Sequence, residues 1–194
     1  MQTQVEVIEA ALAGAVRGDG EALAVLWREH QPFVLRYVRG RGITDAEDVA
    51  TQVWIDAARS LGRFQGGADD FRRWLFTIAH HRMVDAQRKS ARRQSMPIPA
   101  AVPSPGADSD FDQRDALDRA LALVARLPDA MAEAVLLRVV ADLSVADTAR
   151  IMGVRAGHVR VLVHRGLRRL ESLLGTRDEK PVTLSPRSTM SGSP

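Results

Sequence analysis

Apolar residues recur at intervals of three and four along two stretches of the chain, about residues 5–93 and 115–174. That spacing puts them on one face of an α-helix, whereas strand-like alternation is scarce, so the pattern predicts an all-α protein. The first stretch divides into four helices. "VEVIEAALAGAVRG" is amphipathic and ends at Gly18. Asp19 is placed to cap the next, "EALAVLWREHQPFVLRYVRGRG", in which Pro32 is expected to kink or break the helix. Thr44 or Asp45 caps a third, "AEDVATQVWIDAARSLGRF", whose early acids suit the positive end of a helix dipole. A loop, "QGGADD", leads into the fourth, "FRRWLFTIAHHRMVDAQRKSARR". Trp27, Trp54 and Trp74 are assigned to packing.

In the second stretch, Pro128 opens a helix that ends near Ala141. Ser144 caps "VADTARIM" with Asp147 three positions on, an imperfect capping box, and Gly153 stops that helix. Helix, glycine turn, helix is the outline of a helix-turn-helix. The stretch 152–170, "MGVRAGHVRVLVHRGLRRL", holds five arginines, two histidines and no acid. A helical projection turns Val159, Leu162, Val163, Leu167 and Leu170 inward and Arg160, Val161, His164, Arg165 and Arg168 outward. A solvated basic face is the plain alternative. A recognition helix needs this division, with donors for phosphates and base edges outside and an apolar floor beneath. An outward valine then has a use, since a branched side chain can pack on a thymine methyl.

Between the two stretches lies "QSMPIPAAVPSPGADSDFD", with four prolines and three aspartates, which reads as an extended linker. The predicted boundaries are a helical domain over 1–93, an acidic linker over 94–114, a helix-turn-helix domain over 115–174 and a disordered tail over 175–194. The chain has 194 residues and a net charge of only +3. That total hides a contrast. Residues 1–93 carry +2, 94–118 carry −4 and 119–174 carry +4. Nearly all the cations are arginine, which forks onto phosphates and guanine edges. There is no cysteine, which removes disulfides, thiolate metal sites and cysteine nucleophiles and suits a reducing compartment. The first residues have acids and no basic n-region, and no apolar run approaches spanning length, so a cytoplasmic protein without membrane insertion is expected.

"DAEDVATQVWIDAARSLGRF" followed by "FRRWLFTIAHHRMVDAQRK" resembles the N-terminal region of bacterial sigma factors of the extracytoplasmic-function class. "LPDAMAEAVLLRVVADLSVADTARIMGVRAGHVRVLVHRGLRRL" resembles their C-terminal region. The two blocks occur in the family's order and cover about four-fifths of the chain. The resemblance implies a transcription initiation factor, with no enzymatic activity and no cofactor. Such a factor binds core RNA polymerase, melts the −10 promoter element and reads the −35 element as duplex. It implies that Asp45, Glu47, Asp48, Gln52 and Val53 dock on the polymerase clamp. It implies that Phe64, Gln65, Gly66 and the loop to Asp70, with Arg72, Arg73, His81, Arg82, Arg88 and Lys89, handle the −10 strand, and that Arg92 and Arg93 track the backbone. The −35 duplex falls to Arg155, His158, Arg160, Val161, His164, Arg165 and Arg168. An anti-sigma factor is an implied partner. The acidic linker is read either as an RNA mimic in the polymerase cleft or as a solubilising tether.

The chain departs from the family pattern at Thr51-Gln52, where Gln-Glu is usual, and at His80-His81, where Arg-Asn is usual. His158 replaces a common Thr, and Val161-Leu162 a common Ser-Arg, which predicts an unusual −35 preference with a thymine near Val161. The principal rival is a stand-alone helix-turn-helix regulator binding duplex DNA as a dimer. An enzyme built on Asp45, Glu47 and Asp48, or on His80, His81 and Asp85, lacks an accompanying nucleophile or phosphate loop.

Overall fold

The computed structural model describes residues 2–43, 45–94 and 111–175, and their side chains except those of 2–4, 90–94 and 111–115. The stretch 95–110, the tail 176–194, Thr44 as a cap and the Arg92 and Arg93 side chains lie outside the described residues. Eight α-helices are arranged in two successive groups, with no strand among the described residues. The first group is α1 (Gln2–Val16), α2 (Gly20–Gly40), α3 (Ala46–Ser60) with a 3₁₀ turn at Leu61–Arg63, and α4 (Ala68–Gln94). The second is α5 (Phe111–Val124), α6 (Asp129–Val135) continued by a π-helical turn at Leu136–Val140, α7 (Val145–Met152) and α8 (Ala156–Gly175).

Local chemistry accounts for several boundaries. Asp19 caps α2 as expected, its Oδ1 accepting from the Glu21 and Ala22 amides at 2.9 and 3.3 Å. Ser144 caps α7 by accepting from the Asp147 amide at 3.0 Å. Gly153 ends α7 with φ 65°, a left-handed turn that an amino acid with a Cβ adopts only with strain. Asp45 occupies the position before α3 but its side chain makes no capping bond. Pro32 neither breaks nor ends α2, which runs through it. A mid-helix proline costs about 3 kcal/mol. Leu26, His30, Val34, Tyr37 and Val38, all buried along that one helix, offset it.

The core is continuous across both groups. Val34, Tyr37, Phe71, Leu75 and Phe76 form its first half, and Leu121, Val135, Leu136 and Leu137 join it from the second. The joint is tight at Gly40, where an added Cβ would stand 2.6 Å from Leu136 Cδ2 and 3.3 Å from Leu121 Cδ2. Trp54 is buried and its Nε1 donates to Gln31 Oε1 at 2.7 Å. Trp74 stacks at a tilt on Phe64 and Phe71. Trp27 departs from expectation: it is 46% exposed, because it falls on the outer side of α2.

Candidate nucleic-acid interface

The helix-turn-helix is built from α6, α7 and α8. Val159 and Leu162 fasten α8 to its own unit, with Val163 and Leu170 half-buried beside them. Leu167, expected inward, is 42% exposed, and the buried position on that turn belongs to Gly166. The small residue brings α8 close to α6, and the next side chain turns out to solvent. Arg155, His158, Arg160, Val161, His164, Arg165 and Arg168 are all exposed. They form a cationic face with one apolar side chain, 43% exposed Val161, within it. Such a face supplies donors to phosphates and base edges and a contact surface for a methyl group.

The second cationic surface lies on α4. Its loop is shorter than predicted, because α4 starts at Ala68 and takes Asp69 and Asp70 into its first turn. Asp70 accepts from the Gly67 amide at 3.3 Å and pairs with Arg73 at 2.7 Å. Glu9, reaching from α1, accepts from the Ala68 amide at 2.7 Å and serves as the cap. Gln65 and Gly66 are exposed, whereas Phe64 is half-buried in an edge-to-face contact with Phe71. Arg88, Lys89 and His81 are exposed. Arg82 is bound to Asp56 of α3, and this contact holds the Asp56 carboxyl below its ordinary range.

Asp45, just before α3, and Glu47, Asp48 and Gln52 on it are exposed. Glu47 pairs with Arg39 of α2 at 2.5 Å, and that bond lowers its pKa. Val53 is a correction. It is fully buried in the core, so it positions the helix and offers no surface to a partner.

The structure also brings together residues that the sequence did not single out. Glu133 of α6 is buried, and its Oε1 accepts from Tyr37 Oη at 2.6 Å and from His80 Nδ1 at 2.9 Å. Arg41 Nε stands 3.1 Å from Glu133 Oε2, not aligned for a hydrogen bond, while its Nη1 donates to the Asp129 carbonyl at 2.7 Å. Burial, reinforced by the Glu133 charge and hydrogen bond, pushes the Tyr37 hydroxyl well above its ordinary pKa. The two adjacent histidines therefore face different ways, with His80 turned to Glu133 and His81 to solvent. Three further pairs cross between the groups: Arg39 Nη1 to Asp118 Oδ1 at 3.7 Å, Arg72 Nη1 to Asp142 Oδ2 at 3.5 Å, and Arg73 Nη1 to Asp147 Oδ1 at 3.4 Å. Burial alone would raise the Asp147 carboxyl. Bonds from Ser144 and Arg73, with the charges of Arg73 and Arg150, instead hold it below its ordinary range.

Among the described residues, no group of three His, Asp or Glu is placed to hold a metal ion. No described helix is long and apolar enough to cross a membrane.

Residues 26–93 match the family model for sigma-70 region 2, and residues 117–170 match sigma-70 region 4. The chain is 34% identical over 181 residues to the ECF RNA polymerase sigma factor SigD of Mycobacterium tuberculosis, covering 88% of this chain and 85% of that protein. It is 33% identical over 184 residues to the ECF RNA polymerase sigma factor ShbA of Streptomyces griseus, covering 88% and 96%. Two solved structures share the fold. CnrH in complex with the cytosolic domain of CnrY has a TM-score of 0.63 at 22% identity, covering 88% of this chain and 98% of that one. The sigma factor RpoE in complex with the anti-sigma factor NepR, from Bartonella quintana, has a TM-score of 0.60 at 23% identity, covering 80% and 95%.

Proposed function

The chain belongs to the extracytoplasmic-function RNA polymerase sigma factors of the sigma-70 family, and from that membership and its surfaces we propose how it selects promoters. It is a transcription initiation factor that binds core RNA polymerase and directs it to promoter DNA. The observation that carries the finer reading is the α8 face, cationic from Arg155 to Arg168 and exposed throughout. In this reading α8 enters the major groove of the −35 element, with Arg165 and Arg168 on phosphates and Val161 against a thymine methyl. The acidic side of α3, from Asp45 to Gln52, meets basic polymerase residues, where charge complementarity sets specificity and encounter rate. The short loop at Phe64–Gly66 and the cations of α4 hold the unwound −10 strand.

The domain roles follow. Residues 1–93 serve the polymerase and the −10 element, 115–174 serve the −35 element, 94–114 tether the two, and 175–194 form a tail. Partners of the anti-sigma kind belong to the reading, as the RpoE–NepR complex illustrates for a relative in fold. The work is done in the cytoplasm, by binding and positioning, with no catalytic step of its own. A stand-alone dimeric regulator is not favoured, because it leaves the sigma-70 region 2 match unexplained.

The test is to mix the purified chain with core polymerase lacking any sigma subunit and follow size-exclusion elution. One-to-one co-elution is expected. Absence of a complex, with the chain alone shifting duplex DNA as a dimer, would overturn the reading.

A further inference from the structure

The loop assigned to the −10 strand ends in Gly66 and Gly67, directly before α4 starts at Ala68. Neither glycine has a side chain to fix the backbone, and Gly66 adopts φ 137°, a region that other residues rarely enter. A glycine just before a helix also leaves the first amides of that helix without a side-chain acceptor of their own. Two carboxylates supply what is missing. Asp70, in the first turn of α4, accepts from the Gly67 amide at 3.3 Å, and Glu9 accepts from the Ala68 amide at 2.7 Å. The Asp70 bond is the longer one, and its other oxygen is taken by Arg73 at 2.7 Å. Glu9 makes the shorter bond, and amides held by a carboxylate are held firmly.

Glu9 stands 59 positions from Ala68 and ahead of residues 26–93, which match sigma-70 region 2. Its place is set by the packing of α1. Ile8 and Leu12, on either side of it along the helix, are buried in the core, and Ala11 and Ala15 extend that face. Gly14 draws α1 close to α2, since a Cβ there would stand 2.8 Å from Ala22 Cβ. Gly67 leaves room for the carboxylate: a Cβ on it would stand 2.8 Å from Glu9 Oε1 and push that oxygen aside.

We propose that Glu9 is a positioning residue for promoter recognition, fixing from α1 the backbone that presents Gln65 and Gly66 to an unwound base of the −10 element. This rests on the reading of the loop given above. Phe64 anchors the near end of the loop against Phe71 and Trp74, and Glu9 anchors the far end at Ala68. Between the two anchors, Gln65 and Gly66 are exposed. A recognition site works when its groups are held to within about 0.5 Å, and a loop with two glycines reaches that only through outside support. Glu9 acts through the Ala68 amide and not on the strand itself.

The experiment uses the full chain with core polymerase and a promoter library randomised at both the −10 and −35 elements. Heparin-resistant complexes are recovered and sequenced, giving the preference for the favoured base at each position. Glu9→Ala is expected to lower preference within the −10 element by about threefold to tenfold, the range for loss of a helix cap. Preferences within the −35 element, and one-to-one co-elution with core polymerase, should stay at the parent values, which a misfolded chain would not allow. Glu9→Gln keeps an oxygen for the Ala68 amide and should restore most of the −10 preference.

Unchanged −10 preferences in Glu9→Ala, an equal fall at both elements, or Glu9→Gln no better than Glu9→Ala would each overturn the proposal. Gly66→Ala separates it from the reading beneath, because it strains the loop directly: its Cβ would stand 2.6 Å from Asp70 Cβ at a positive φ. If Gly66→Ala lowers −10 preference and Glu9→Ala does not, the loop reads the strand and only the role of Glu9 fails. If Gly66→Ala leaves the −10 preferences at the parent values, the loop does not read the strand and both fall, whatever Glu9→Ala does.

Discussion

Replacing Glu133 by alanine should be among the most destabilising single changes in the chain. The carboxylate is 5% exposed, and it serves groups from two helices of the other unit. Tyr37, fully buried, would lose the acceptor at 2.6 Å for its hydroxyl. A buried donor left without a partner costs about 1–3 kcal/mol. Arg41, its side chain 6% exposed, would keep the Asp129 carbonyl but lose the only carboxylate buried with it. Breaking such a pair from one side costs about 3–5 kcal/mol. His80, partly open to solvent, can turn to water instead. The losses overlap, so about 3–4 kcal/mol is expected for Glu133→Ala, and about half that for Glu133→Gln, which keeps an acceptor for Tyr37. Urea unfolding followed by circular dichroism reads the difference as a lower midpoint. In a chain of this size the corresponding fall in Tm is about 10 °C. If the contact between the units is what fails first, the single transition should also split in two. A loss below about 1 kcal/mol for Glu133→Ala, or equal losses for the two variants, would refute the reasoning.

Other consequences can be measured as directly. Burial holds His30 below its ordinary value of 6.5, only partly opposed by its hydrogen bond to the Leu26 carbonyl. Below pH 6.5 the unfolded chain takes up a proton that the folded one refuses, so stability present above that pH should fall as pH drops through the depressed folded value. Denaturation midpoints between pH 7 and pH 5 should show this slope, and His30→Gln should flatten it. A methyl at Gly40 meets fully buried Leu136, so Gly40→Ala should cost about 1–3 kcal/mol in a melting experiment and loosen the contact between the units. Arg165→Ala with Arg168→Ala should make the salt dependence of −35 duplex binding by the polymerase complex shallower by about 1.8, at about 0.9 per phosphate contact; an unchanged slope would take both residues off the backbone.

What the sequence disclosed, and what it did not, follows from the range of the forces involved. The helices, the Asp19 and Ser144 caps, the Gly153 stop and the outward face of α8 depend on neighbours within four residues, which periodicity exposes. A break at Pro32 does not occur, because the proline's cost is local while the packing that offsets it involves residues distant in sequence. Val53 looked like a surface residue of a binding helix, but it lies fully buried in the core. The Glu133 cluster had no sequence signal, since Tyr37 and Glu133 are 96 positions apart and neither stands in a motif. Asp142 and Asp147 read as ordinary turn and first-turn acids. Only the packing of α7 on α4 gives them arginines to face.

The ends of two helices also set a ruler. α4 stops at Gln94 and α5 begins at Phe111, 17 peptide steps later. However that stretch is arranged, covalent geometry caps its reach at about 60 Å. Elements centred at −10 and −35 lie about 85 Å apart along B-form DNA, at about 3.4 Å per base pair, which exceeds that ceiling, so the difference must be spanned by the lengths and tilts of the helices on either side. Deletions in the connecting stretch should therefore shift the factor toward promoters with shorter spacers before they abolish its activity, and insertions should be tolerated far better.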